Sequence, residues 1–391
     1  MSWNDAPSHV SDVLSLFRDR KRLSRTDVMR ITGLSRSTVN QRLTSLHAAG
    51  LISAIGGGES TGGRPSSLFE FNQRRASLLA VDIGASGFIV ALCDLEGTPI
   101  RHVTRRVNVW EGPERVLGDV LVAMEELGDT GGVWGIGVGV PGPVDFAAGR
   151  VVSPPIMTGW DGFDIAGWFG SHFAVPVVVE NDANARAAIE ARVLKSDNLI
   201  GLKLGTGIGA GLVFNGQIVR GNEGAAGDIG HTRTAPTVGP DEVALLQCRC
   251  GNEGCVEASA SGWALVRDLT ALGIAVTSPT EVVQLVIAGN IAAVRLVRQA
   301  GRTLGDAVAD LVSILNPAVI VVSGQLADCG EVLMSGIRER VYQRTSTLAT
   351  RRLRITTSTL GDLGGVSGLA LITADQIFGT DAIDEQLRRV V

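Results

Sequence analysis

Aromatic residues are sparse: one Tyr, ten Phe and six Trp in 391 residues. A chain so poor in rings must fill its core with aliphatic side chains. No run of about 18 apolar residues occurs, so no membrane-spanning helix is expected. The opening Met1-Ser2-Trp3-Asn4-Asp5 lacks the charged-then-apolar order of a secretion signal, and a cytoplasmic location is expected. Cysteine is scarce, yet three of the five fall between positions 248 and 255. In a reducing compartment that clustering points to metal ligands rather than disulfides. Gly is plentiful (50) and the hydrophobic share is 45%, the composition of a globular chain rich in tight turns. The length suits two or three domains.

The net charge of −5 conceals an asymmetry. Residues 1–75 carry 11 Lys and Arg against 6 Asp and Glu, whereas residues 76–391 carry 24 against 34. A basic head on an acidic body suggests that the head meets a polyanion. The pattern within the head agrees. Val10, Val13, Leu14 and Phe17 recur at helical spacing and predict a helix over 9–19. Thr26 is placed to cap a second helix through Thr32, and Ser35 to cap a third that Gly50 ends. The third helix buries Val39, Leu43 and Leu46 and turns outward Arg36, Ser37, Thr38, Asn40, Gln41 and Arg42. All six can bond to bases or phosphates and none is acidic, as a recognition helix requires. Segments 51–55 and 67–71 predict a hairpin. Its glycine-rich loop carries Arg64 and resembles the wing of a winged helix-turn-helix domain, able to enter a minor groove. A three-helix protein-binding module is the alternative; the polar third helix and the basic loop favour DNA.

After residue 75 the character changes. Strands are predicted at 78–84, 88–94, 133–140 and 175–182, with helices at 114–127 and 183–194. A second round follows, with strands at 199–204, 211–215, 318–323 and 353–357 and helices near 261–272, 291–315 and 331–343. Two α/β halves imply a cleft between them, a natural place for a ligand.

Three features carry chemistry. Asp182 ends an apolar strand, where a carboxylate serves either as a general base facing the cleft or as the cap of the next helix. Gly205-Thr206-Gly207-Ile208-Gly209 follows a strand and offers backbone N–H groups to an anion, a weak signal by itself. Cys248, Cys250 and Cys255 have C-x-C-x4-C spacing, and His231 can complete a closed tetrahedral zinc site of the structural kind. Cys93 and Cys329 are isolated and read as core residues.

Taken together the residues resemble the ROK family of repressors, uncharacterised reading frames and sugar kinases. The match rests on the stretch from Leu202 to His231 and the cysteine segment ending at Glu257. Pro141-Gly142-Pro143-Val144-Asp145 and Glu180-Asn181-Asp182-Ala183-Asn184 add to it, and Gly63-Arg64-Pro65 in the head resembles the regulator branch. The resemblance implies a winged helix-turn-helix over 1–75, followed over 76–391 by a two-lobed actin-like, ribonuclease H-like sugar-kinase fold with a zinc site at 231–255. It implies sugar hydroxyls held by Asn181, Asp182, Asp228, His231 and Glu257, and zinc held by His231, Cys248, Cys250 and Cys255. Nucleotide positions would fall at Asp82, Gly84, Ser86, Gly205, Thr206, Gly207 and Gly324.

Several positions depart from the kinase pattern. Ala85 stands where a second glycine should let the backbone approach a phosphate, and Gln325 and Leu326 follow Gly324 where more glycine is usual. Asp228 replaces a Glu, and Gly159 replaces an Asn before Trp160. Sugar-facing groups are mostly kept and nucleotide-facing groups eroded, so Gln325 and Leu326 are expected to fill nucleotide space. The reading is a sugar-responsive regulator, binding a near-palindromic operator as a homodimer or homotetramer, with a sugar or sugar phosphate as effector. ATP and Mg2+ are not expected as cofactors. The rivals are an ATP-dependent hexose kinase using Asp182 as general base, and a constitutive DNA binder with a vestigial cleft.

Overall fold

The computed structural model describes residues 9–19, 22–56, 67–128, 132–154, 157–233, 245–380 and 382–383. The head runs α1 (Val10–Asp19), β1 (Leu23–Ser24), α2 (Arg25–Thr32), α3 (Arg36–Ala48), β2 (Ile52–Ile55) and β3 (Leu68–Phe71). Its strands form one antiparallel sheet in the order β1-β3-β2. Ser35 caps α3 as expected, by accepting from the Thr38 N–H. The cap of α2 is Ser24 and not Thr26. Ser24 and Asp27 exchange hydrogen bonds in a capping box, so two orphan donors are met at once. Gly50, at φ +73°, turns the chain after α3. Arg64 lies outside the described residues.

Two five-stranded sheets make the body. The first comprises β4 (Ser77–Gly84), β5 (Gly87–Cys93), β6 (Pro99–Arg105), β7 (Val133–Val140) and, after a small β8–β9 hairpin (Val144–Asp145, Arg150–Val151), β10 (Val177–Asn181). Helices α4 (Pro113–Glu126) and α5 (Ile165–Gly170) lie in its connections. Its spatial order is β10-β7-β4-β5-β6. Helix α6 (Asp182–Leu194) then leads to the second sheet. That sheet comprises β11 (Leu199–Leu204), β12 (Ile208–Phe214), β13 (Gln217–Ile218), β14 (Val319–Ser323) and β15 (Arg354–Thr357), in the order β13-β12-β11-β14-β15. The order within each lobe is the same: the first strand is central, two antiparallel neighbours lie on one side and two parallel ones on the other. Helices α7 (Val256–Ala260), α8 (Gly262–Ala271), α9 (Pro279–Ile287), α10 (Ile291–Leu315), α11 (Glu331–Arg344) and α12 (Thr347–Thr350) pack around the second lobe, and α13 (Gly364–Ile377) closes the chain's core.

Several elements were not expected from the sequence, among them the short strands β1, β8, β9 and β13 and the helices α5, α9 and α12, and three further differences have a clear physical reason. Strand β12 begins at Ile208 rather than 211, because the glycine turn is only Gly205 to Gly207 and pairing resumes at once. Strand β6 is an edge strand with a mostly polar, exposed face, and its pattern carried no signal. Helix α13 was not expected at all. Eleven of its fourteen residues are buried, so it has no polar stripe to reveal a helical period. Its glycines mark close approaches: a Cβ on Gly365 would overlap the Asp82 carboxylate, and one on Gly368 the Ala185 carbonyl.

The head is docked rather than tethered. Val13, Leu14, Phe17, Leu43 and Leu46 belong to one buried cluster with Leu78, Ala185, Val366, Leu369, Ile377 and Phe378 of the body. Arg18 pairs with Asp375 at 2.7 Å and lies over the Phe378 ring. Arg192, near the end of α6, donates to the Arg18 carbonyl at 2.7 Å and reaches Asp19 at 3.5 Å. Arg75 donates to the Ala49 carbonyl and covers Trp134. Among the described residues no single helix is long and apolar enough to cross a membrane.

Candidate functional site

Side chains of the two lobes meet at the first residue of α6. Asn181, not Asp182, caps that helix: its Oδ1 accepts from the Ala183 and Asn184 N–H groups, and its Nδ2 donates to the Gly142 carbonyl. The capping alternative is therefore taken by the neighbour, and the Asp182 carboxylate is left for other work. Asp182 is 7% exposed. Burial pushes its carboxyl up, while the Lys203 ammonium, 2.5 Å away, works against that. Burial alone would lower Lys203, but Asp182 and Asp82 outweigh it, so this amine stays protonated beyond the ordinary lysine range. Lys203 Nζ also lies 4.0 Å from Asp82 Oδ1, a buried oxygen with no hydrogen bond among the described residues.

Each lobe presents a turn here. Gly84 and Gly87 pair across the β4–β5 turn, which holds Ala85 and Ser86. Gly205 donates to the Gly207 carbonyl in the β11–β12 turn. The backbone of that second turn is held from behind: Gly262 N–H donates to Gly205 O and Trp263 N–H to Thr206 O. Gly324 lies against the Leu204 carbonyl at φ +86°. Gln325 is exposed, but Leu326 is fully buried in the second-lobe core. The expectation that Leu326 fills nucleotide space is thus corrected: the 3-10 turn Gln325–Cys329 swings its apolar side chain inward, where burial stabilises it.

Glu257 occupies the other wall. It is buried, and its Oε2 accepts from the Ile208 N–H at 2.9 Å while its Oε1 accepts from Trp263 Nε1 at 3.3 Å. Gly207 and Gly230 are the residues that leave room for it. Asp228 is exposed and precedes the 3-10 turn Ile229–His231, which swings His231 toward the cysteines. His231 Nδ1 is 3.8 Å from Cys248 Sγ, and Cys250 Sγ is 3.7 Å from Cys255 Sγ. One ligand atom from each of His231, Cys248, Cys250 and Cys255 lies within 4.8 Å of all the others, a cluster able to hold a metal ion. Positive φ at Gly251 and Gly254 lets the short segment fold back on itself. Burial pushes the Cys255 thiol up to about 12. A cation among the sulfurs supplies the charge that would favour the thiolate.

Three functional candidates escaped the sequence reading. Lys203 is one; it sits in an otherwise apolar strand and has no motif to mark it. Arg249, between two of the cysteines, reaches toward Trp263 at 4.6 Å and toward Trp110 of the first lobe at 5.9 Å, so a cation–π contact spans the two halves. Arg220 lies 3.8 Å over the Phe146 ring and pairs with buried Glu180 at 2.7 Å, tying the 219–228 loop to the strand that ends at Asn181. For Lys203 a lone charge within an apolar strand was the available signal, and it is not specific; Arg220 and Arg249 lie in loops, where a charge is ordinary.

In the head, Arg36, Ser37 and Gln41 are exposed, and Thr38, Asn40 and Arg42 are half-buried. The Ser37 and Thr38 hydroxyls both reach the capping Ser35 hydroxyl, at 2.8 and 2.9 Å.

Comparison with known proteins agrees with this architecture. The profile of the ROK family matches residues 78–376, and one described as the C-terminal domain of a DIP2311-like transcriptional regulator matches residues 17–66. A xylose repressor of Caldicellulosiruptor bescii is 28% identical over 388 residues, spanning 93% of this chain and 95% of its own. The crystal structure of a ROK family transcriptional regulator, a homolog of the E. coli MLC protein, superposes with a TM-score of 0.82 at 23% identity, over 97% of this chain and 98% of that one. A ROK family glucokinase from Streptomyces griseus, solved with glucose and AMPPNP, superposes with a TM-score of 0.66 at 28% identity, over 76% of this chain and 99% of that one. With its profile covering well over half of the residues, the chain belongs to the ROK family.

Proposed function

We propose that this protein is a sugar-responsive transcriptional repressor: the winged head holds DNA, and a sugar in the interlobe cleft weakens that hold. The observation that carries the reading is the course of α6. Its first residue, Asp182, lies in the cleft, and its Arg192 grips the head at Arg18 and Asp19. A ligand that prefers one setting of this helix shifts the head with it, and only such differential affinity can drive the response. Similarity to a xylose repressor along both head and body supports the same reading. The boundary between the two units falls at residues 75 and 76.

Asp182, Asp228, His231 and Glu257 would meet the hydroxyls of a sugar or sugar phosphate, with Asn181 positioning Asp182. Carboxylates bond adjacent hydroxyls well, and leaving them unpaired in a closed site is costly. The residues fit a structural zinc ion. Sulfurs about 2.3 Å from a tetrahedral ion lie about 3.8 Å apart, close to the 3.7 Å between Cys250 and Cys255. His231, Cys248, Cys250 and Cys255 would hold it, and it would supply cohesion to the segment that ends at Glu257. Arg36, Ser37, Thr38, Asn40, Gln41, Arg42 and Arg64 would face DNA, in a homodimer or homotetramer reading a near-palindromic operator.

The test is pull-down of fragmented genomic DNA at fixed salt, followed by a screen of sugars and sugar phosphates for release. Enrichment of a few sites, with release by one sugar class, is expected. Diffuse recovery, or no effect of any sugar, would defeat the reading. Sugar-dependent ADP production abolished by Asp182→Asn would instead establish a kinase.

A further inference from the structure

Among the ionisable groups of the cleft, Asp82, Asp182 and Lys203 form a set that no sequence motif joins. Asp82 stands two residues before the β4–β5 turn, and Lys203 two residues before the equivalent β11–β12 turn. The matching strand positions of the two lobes thus carry opposite charges and face each other at 4.0 Å. Asp182, from the first turn of α6, closes the triangle at 2.5 Å from the same ammonium. Two carboxylates in a buried cleft beside glycine turns are the hard-oxygen set that a nucleotide-bound divalent cation would take. Here the protein supplies its own cation in that position. Asp82 Oδ2 meanwhile fills the space that a Cβ on Gly365 would take, so it is Oδ1 that faces Lys203.

We propose that Lys203 is a built-in counter-ion that fills the cation position between Asp82 and Asp182, and so makes this cleft a sugar site closed to metal–nucleotide. The inference rests on the sugar-binding reading above and names the residue that separates sensing from phosphoryl transfer. With Lys203 in place Asp182 Oδ2 is held by an ammonium, which leaves Oδ1 to accept from a sugar hydroxyl but opposes the carboxylate's taking up a proton as a base, and a second cation would meet repulsion at contact distance.

The test is Mn2+ binding to the full-length, zinc-loaded protein, followed by the EPR signal of free Mn2+. The wild type is expected to show no site that Asp82→Asn removes. Lys203→Met, of similar size, should gain one site per chain, tightening by about tenfold or more because affinity follows ligand charge. Adding Asp82→Asn or Asp182→Asn to Lys203→Met should abolish the gain, and Lys203→Arg should not produce it. A folded Lys203→Met protein, with zinc content unchanged, that binds Mn2+ no better than wild type overturns the proposal. A wild-type protein that already binds Mn2+ through Asp82 overturns it as well, and that arm needs no variant of Lys203. Should Lys203→Met not fold, Lys203→Gln is subject to the same criterion. Sugar-dependent DNA release is scored separately on the wild type. A gained Mn2+ site without any sugar response would leave the counter-ion standing and remove the regulator reading.

Discussion

The two lobes share one strand order and differ in what they place at the same points. Where the central strand of the first lobe makes its last pairing with its parallel neighbour at Asp82, that of the second does so at Lys203. Where the first lobe crosses from its third strand to its fourth through the 3-10 turn Val109–Glu111 and α4, the second inserts the His231–Cys255 cluster and helices α7 to α10. A repeated topology therefore does not mean a repeated site. The fold sets the positions that face the cleft, and side-chain chemistry at those positions decides which ligand is admitted.

The insertion is the larger difference, and removing its metal should have the largest effect. Cys250→Ser, or chelation, is expected to take metal content from about one ion per chain to none and to abolish sugar-induced thermal stabilisation, because such sites fold with their metal. Full metal and full response in the variant would show that the two lobes do not differ in this way. The charge difference at the turns comes next. Lys203→Met leaves Asp82 and Asp182 buried without their ammonium, and denaturant unfolding should show a loss of about 3 kcal/mol, the lower end for breaking a buried pair because Lys203 keeps partial access to water. An unchanged midpoint would mean that the ion pair contributes nothing to holding the lobes.

A finer contrast lies along α6, buried at its cleft end and exposed at its head end. Arg192→Ala should leave sugar affinity intact and reduce the loss of DNA affinity that sugar causes. Stability should move by less than about 1 kcal/mol, as for exposed pairs. Equal sugar responses in wild type and variant would sever the proposed link. The smallest effect is expected in the head. The Ser24 hydroxyl and backbone N–H, with Arg30, hold the Asp27 carboxyl below its ordinary range. Its contribution to stability is complete above about pH 4 and is lost as pH falls through the lowered folded value. Asp27→Asn should flatten that acid limb of head stability; an unaltered acid limb would assign it elsewhere.

Much of this was legible because local rules sufficed. Ser35 announced α3, the alternation of apolar runs and helices announced both lobes, and the spacing of Cys248, Cys250 and Cys255 brought them together as expected. The capping of α2 was misplaced by two residues because Thr26 and Ser24 are both competent caps, and only the return bond from Asp27 selects Ser24. Helix α13 was illegible for a deeper reason. A helix buried on every side shows no period, and glycines that read as breakers are there because Asp82 and Ala185 approach its backbone.

The sequence by itself determined most of the elements, the family and the clustering of the cysteines, since each depends on spacing along a short stretch of chain. Tertiary structure alone decided that Leu326 turns into the core, that the head shares its core with α13, and that Arg249 reaches Trp110. It alone decided, too, that Lys203 lies between Asp82 and Asp182. Those residues are more than a hundred positions apart from first to last, and no periodicity records which charges a folded cleft brings within 4.0 Å.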